Sequence, residues 1–236
     1  MDTVTVRENL ERIREGVAEA EYAAGRPAGS VRLIGVTKFK TIDEIRPALE
    51  AGLGEVGENR AQEFTDKFDF FSSYGVKKHF IGTLQVNKVK YLVGKADLIQ
   101  SVDRLALAEE IGRLAVKRQV VQPVLIEVNI GSEEQKSGVA PALLPELLKV
   151  VSDMPGILVK GLMCVPPAGS EDEARPYFAR MRELFLKAGE RSLPNISMEE
   201  LSMGMSGDYK AAIREGATMV RIGSAIFGPR AAAKPF

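Results

Sequence analysis

The sequence predicts a single-domain α/β fold over residues 1–236, a (β/α)8 TIM barrel with one extra N-terminal helix. Three observations predict it. Short apolar runs alternate with segments of 3.6-residue period, eight times along the chain, as strands alternating with helices do. The runs are nearly continuous in apolar character, as in parallel strands covered by helices. No Gly/Ser/Pro-rich linker long enough to divide the chain interrupts the beat. A doubly wound open sheet is the competing architecture.

The elements follow in order. Val6, Leu10, Ile13, Val17 and Ala20 share one face of an N-terminal helix. "VRLIGV" (31–36) is the first strand. A helix over 41–51 carries Ile42, Ile45 and Leu49 on one side. Thr41 and Glu44 have capping-box spacing, and Pro47 predicts a kink or a shortened helix. "EVG" (55–57) precedes a helix over about 59–70, and "KHFIG" (78–82) precedes a helix over 85–94. "ADLIQSV" (96–102) leads into a helix over 103–118, with Leu107, Ile111 and Leu114 on one face. "PVLIEVNI" (123–130) is rich in β-formers and is followed by the polar loop 131–140 and a helix over about 141–153. "LVKGLMCV" (158–165), a long helix over about 171–189, "EELSMG" (199–204), a helix over 208–216 and "TMVRIG" (218–223) complete the set.

Composition narrows the function. Lys plus Arg and Asp plus Glu both total 32, so the net charge is zero and the basic surplus of a nucleic-acid binder is missing. No apolar run approaches the roughly 18 residues of a membrane span. The acidic, helix-patterned N-terminus does not read as a targeting peptide. Cys164 is the sole cysteine, so no internal disulfide is expected. These features predict a cytoplasmic protein without nucleic-acid or membrane partners.

In a (β/α)8 barrel, function sits at the C-terminal ends of the strands. The residues there are Lys38, "GEN" (57–59), Gly82, "SVDR" (101–104), Asn129, 163–167, "SMGMS" (202–206) and "RIGS" (221–224). The last two stretches each run from a strand through Gly and Ser into a helix. Free backbone N–H groups at such a place attract phosphate, and loops seven and eight are where these barrels bind it. Ser206 and Ser224 also read as ordinary caps, and Asp208 would compete for the same N–H groups. Arg221 lies inside an apolar strand and needs a partner, either an inner carboxylate or a ligand ring. Lys38 reads as the first solvated residue of a loop or as an amine nucleophile. At the ordinary pKa near 10.4 only about 0.1% would be neutral at pH 7.4, so the second role requires burial. His79, the only histidine, reads as a core or rim residue, and zinc sites built from His and Cys are excluded.

Taken together, "GVTKFK", "GEVGENRAQEF", "HFIGTLQVNKVK", "IEVNIGSEEQKSG", "GLMCVPP" and "LSMGMSGDYKAAIREGATMVRIGSAIFG" closely resemble the pyridoxal phosphate homeostasis proteins. The likeness extends over about residues 4–230. It implies a barrel shared with the alanine racemase N-terminal domain, with pyridoxal 5′-phosphate (PLP) held as an internal aldimine on Lys38. It implies Ser206, Gly223 and Ser224 at the phosphate with Ser202 nearby, Arg221 facing the pyridine nitrogen, Asn59 near the ring, and Met203 and His79 as further neighbours. The implied role is intracellular PLP homeostasis by buffering or delivery, with PLP-dependent apoenzymes as the implied recipients, as a monomer. It would affect amino-acid and keto-acid balance without robust catalysis. Alanine racemase has a second domain that supplies a catalytic tyrosine, and none is expected in a chain ending at Phe236. The alternatives are a PLP-dependent racemase or lyase and a barrel enzyme for a phosphorylated sugar.

Overall fold

Eight short strands pair in chain order, each parallel to its neighbours, and the last closes on the first. The open sheet is thereby excluded. The computed structural model describes residues 3–133 and 135–229. The strands are β1 (Arg32–Val36), β2 (Glu55–Glu58), β3 (Lys77–Phe80), β4 (Leu98–Val102), β5 (Gln122–Glu127), β6 (Ile157–Met163), β7 (Ile196–Ser202) and β8 (Met219–Ile222). The helices are α1 (Thr3–Ala23), α2 (Ile42–Glu50), α3 (Ala61–Ser73), α4 (Leu105–Lys117), α5 (Leu144–Ser152), α6 (Glu171–Gly189), α7 (Tyr209–Arg214) and α8 (Ser224–Phe227).

Helix α1 is the extra element. It buries Val6, Leu10, Ile13, Val17 and Ala20, the face read from the sequence. It packs on α2, α7 and α8, and Asn9 Nδ2 donates to the Ile226 carbonyl (3.2 Å). The Thr41–Glu44 capping box forms. Helix α2 nevertheless continues through Pro47, because the one bond forgone there is to the carbonyl of Asp43 in the first turn.

Element bounds shift by a few residues throughout, and three of the differences have a clear local cause. The segment expected as a helix over 85–94 is a 3₁₀ helix, Val86–Tyr91, closed by bonds such as Lys88 N–H to Gln85 O. Val89 within it and Leu92 at its C-cap are both buried and lie three apart, the period at which side chains of a 3₁₀ helix eclipse. Strand β7 ends at Ser202, before Gly204, whose φ of +92° is not a strand conformation. Strand β5 ends at Glu127, because Asn129 turns to bond the Glu133 and Lys136 carbonyls and shapes its own loop.

The period of two places Ile34, Leu98, Leu125, Met163 and Met219 together inside the barrel. The opposite strand faces meet the helices in the larger core. At the N-terminal floor, Arg32 bridges Glu200 (2.7 Å) and Glu55 (3.6 Å). No helix among the described residues is long and apolar enough to cross a membrane.

Gly204 joins β7 to the loop before α7, and a Cβ there would lie 2.6 Å from that of Ala212. Gly204→Ala is therefore expected to destabilise the fold by about 2–3 kcal/mol. Calorimetry should show Tm lowered by roughly 5–10 °C.

Candidate functional site

A cavity of about 530 Å³ opens at the C-terminal end of the strands. Lys38, Asn59, Ser206, Arg221, Gly223 and Ser224 all line it. Apolar walls come from Val36, Ile81, Val165 and Phe227, none of which was singled out as a site residue. Lys40 and Met205 also line it, and Lys40 is ion-paired to Glu44 at 3.2 Å.

Lys38 leaves β1 in a turn closed by the Lys40 N–H to the Thr37 carbonyl (3.1 Å). Thr37 is fully buried and Lys38 only partly, so the chain crosses from core to cavity within one residue. Across the mouth, the loops after β7 and β8 are tied together. Ser206 Oγ accepts from the Gly223 and Ala225 N–H groups, each at 3.3 Å. A Cβ on Gly223 would come within 3.3 Å of Val36, so the β8 loop runs close against the end of β1. Asp208 does not compete for these groups. Its carboxylate turns back to accept from Met205 N–H (2.5 Å) and caps its own loop. Burial raises the Asp208 pKa, against the pull of that bond and of Arg221.

Arg221 is 4% exposed and stands beneath the cavity. No carboxylate contacts it among the described residues. Its Nη1 donates to Ser202 Oγ (2.7 Å) and its Nη2 to the Cys164 carbonyl (2.8 Å). Burial lowers its pKa, opposed by Cys164, Glu127 and Asp208. The remaining guanidinium N–H groups are available to the cavity that Arg221 lines.

Ser202 is thus placed under Arg221 rather than on the cavity wall. Its hydroxyl donates to Gln100 Oε1 (2.7 Å), and Gln100 Nε2 meets His79 Nδ1 (3.1 Å). His79 Nε2 in turn lies 3.0 Å from the Glu55 carboxylate, without the alignment of a hydrogen bond. Burial pushes the Glu55 carboxyl up, but His79, Arg32 and Lys77 outweigh it and hold the pKa below its usual value. His79 is therefore a core residue separated from the cavity by Gln100, Ser202 and Arg221, and Met203 is buried away from the cavity. Gln100 was not singled out from the sequence. Its signal was present, since an uncharged amide stands alone in the apolar run "ADLIQSV".

Asn59 Oδ1 is buried at the cavity without a hydrogen-bond partner, so this wall presents an acceptor that a ligand donor would satisfy. Among the described residues no cluster of His, Cys, Asp or Glu is placed to hold a metal. The Cys164 thiol is fully buried and its pKa is pushed up to about 12 by that burial, which leaves it unreactive.

The sequence matches the family described as alanine racemase, N-terminal domain, over residues 5–231. It is 45% identical to a pyridoxal phosphate homeostasis protein of Aquifex aeolicus, over 94% of this chain and 97% of that one. The chain belongs to the pyridoxal phosphate homeostasis protein family. A solved structure of a Bifidobacterium adolescentis protein described as unknown superposes with a TM-score of 0.90 at 37% identity, covering 96% of this chain and 97% of that one. PipY of Synechococcus elongatus PCC7942, solved with PLP bound, superposes at 0.78 with 33% identity, covering 90% and 100%.

In this family member one further carboxyl belongs to the mouth. Glu127 ends β5, and its pKa is raised to about 7 by burial first and by Asp103 second, against the pull of Arg221. A carboxyl whose folded pKa exceeds its unfolded value binds more protons when folded, so stability is lost as pH rises through the folded value. Glu127→Gln is expected to gain stability relative to the parent between pH 5 and 8, by up to about 3 kcal/mol. Urea denaturation across that range measures the difference.

Proposed function

We propose that this protein binds pyridoxal 5′-phosphate covalently through Lys38 and serves intracellular PLP homeostasis in the cytoplasm, buffering the cofactor or delivering it to apoenzymes. The observation that carries this reading is a single cavity that gathers an amine, a buried guanidinium and a Gly/Ser loop pair. The PLP bound to a relative 33% identical supports it.

Each residue has a role consistent with its surroundings. Lys38 Nζ, when neutral, adds to the aldehyde carbon; a carbon–nitrogen double bond forms and water leaves. Ser206, Gly223 and Ser224 hold the phosphate with hydroxyl and backbone N–H groups. Arg221 donates to the ring nitrogen, and Ser202 acts through Arg221 by holding its guanidinium. Asn59 Oδ1 accepts a donor from the ligand near the ring. Bound PLP supplies an electrophilic aldehyde and a ring that stabilises carbanions. Arg221 stays charged and has no proton to give up to the ring nitrogen, so it weakens that stabilisation. This favours holding the cofactor over turning over amino acids, and the protein is proposed to act as a monomer that affects amino-acid and keto-acid balance without robust catalysis.

Borohydride reduction of PLP-loaded protein is expected to fix a phosphopyridoxyl group on the peptide containing Lys38. Lys38→Ala should lose both the yellow colour and that label; a mutant that keeps its colour unchanged would reject Lys38 as the anchor. A panel of L-amino acids followed by chiral chromatography should show no turnover above that of free PLP. Racemisation well above it would establish a PLP-dependent racemase instead.

A further inference from the structure

The turn that presents Lys38 is held by a buried lysine on the neighbouring helix. Lys67 of α3 is 7% exposed, and its Nζ touches three oxygens. These are the Thr37 carbonyl (2.9 Å), Glu58 Oε1 (2.8 Å) and Glu63 Oε2 (3.3 Å). Each carboxylate reaches one neighbour of Lys38. Glu58 Oε1 accepts from Thr37 Oγ1 (2.7 Å), and Glu63 Oε2 accepts from Phe39 N–H (2.7 Å). One ammonium thus restrains the residues on both sides of Lys38.

What it restrains is unfavourable by itself. Phe39 has φ +62°, a left-handed conformation that a residue with a Cβ adopts only at an energetic cost. Arg60 lies over the Phe39 ring at 4.6 Å from its centre, a second restraint on the same residue. Burying the Lys67–Glu58 pair adds little net stability, since apolar side chains of similar volume commonly do as well. The arrangement therefore calls for a role other than stability, and the backbone it grips belongs to Lys38.

We infer that Lys67, with Glu58 and Glu63, is a positioning residue that fixes the Thr37–Lys40 turn so that Lys38, and not Lys40, presents its amine to the aldehyde. This rests on the covalent role proposed for Lys38. Both lysines line the cavity, so the choice between them is a matter of backbone geometry. Lys40 is also engaged by Glu44, which is itself part of the cap of α2.

The test loads the full-length protein with PLP, reduces it with borohydride and measures the label on Lys38 and Lys40 by peptide mass spectrometry. Lys67→Met keeps an unbranched side chain, one atom shorter, and removes the charge. It is expected to lower the rate of Lys38 labelling about tenfold and to raise the Lys40 share, since misplacing a reacting group costs rate steeply. Affinity for pyridoxine 5′-phosphate, which has no aldehyde, should be unchanged, and Lys67→Arg should recover part of the Lys38 labelling. The double variant Glu58→Gln/Lys67→Met leaves no unpaired Glu58 charge in the core and gives the same readout if Lys67→Met does not fold. Lys38 labelling at the parent rate and share in these variants would overturn the inference. So would a parallel loss of labelling and of pyridoxine 5′-phosphate affinity, which marks Lys67 as merely structural. Parent protein that acquires no label on Lys38 removes the covalent reading itself, and the inference with it.

Discussion

The mouth of this barrel depends on how one buried guanidinium is satisfied. Arginine can only donate, so Ser202 Oγ must accept from Arg221 and direct its own proton to Gln100 Oε1. The amide of Gln100 then faces His79 Nδ1, and His79 Nε2 lies beside the Glu55 carboxylate. The hydrogen bonds run from Arg221 at the mouth through Ser202 and Gln100 to His79. Glu55 is held there by Arg32, which also engages Glu200. No carboxylate contacts Arg221 among the described residues, and the carboxyls that favour its charge, Glu127 and Asp208, act from a distance. A direct ion pair would have occupied the guanidinium and closed it to the cavity. Leaving any link unpaired in the barrel interior would cost about 1–3 kcal/mol.

The two walls of the cavity are fixed independently of this chain. On one side, the Thr37–Lys40 turn is gripped by α3 through buried charge. On the other, Ser206 bridges the β7 and β8 loops, and α1 anchors α8 through Asn9. Groups that must meet a ligand together are therefore carried by turns whose backbones are restrained from outside the cavity. Such preorganisation lets a site bind without first ordering itself.

The barrel was legible because its causes are local and repeated. Continuous apolar runs, the face of α1 and the Thr41–Glu44 cap each follow from neighbouring residues alone. Where boundaries moved, a local detail had competed with the pattern: Gly204 ends β7 early, Asn129 turns its own loop, and the spacing of Val89 and Leu92 suits a 3₁₀ turn better than an α-helix. Lys38, Asn59, Ser206, Arg221, Gly223 and Ser224 were legible as neighbours around one cavity because strand ends in a barrel converge and because their motifs resemble those of a family.

Sequence by itself determined the alternation of elements, the apolar faces and which residues stand at strand ends, since each depends on period and neighbouring chemistry. Only the tertiary structure decided what those residues touch. It set Ser202 beneath Arg221, made His79 a link in the core, turned Asp208 back on its own loop and brought Lys67 from α3 to both neighbours of Lys38. The reason is distance along the chain. Gln100 meets Ser202 across 102 residues and Lys67 meets Thr37 across 30, and no periodicity encodes pairings that barrel closure alone creates.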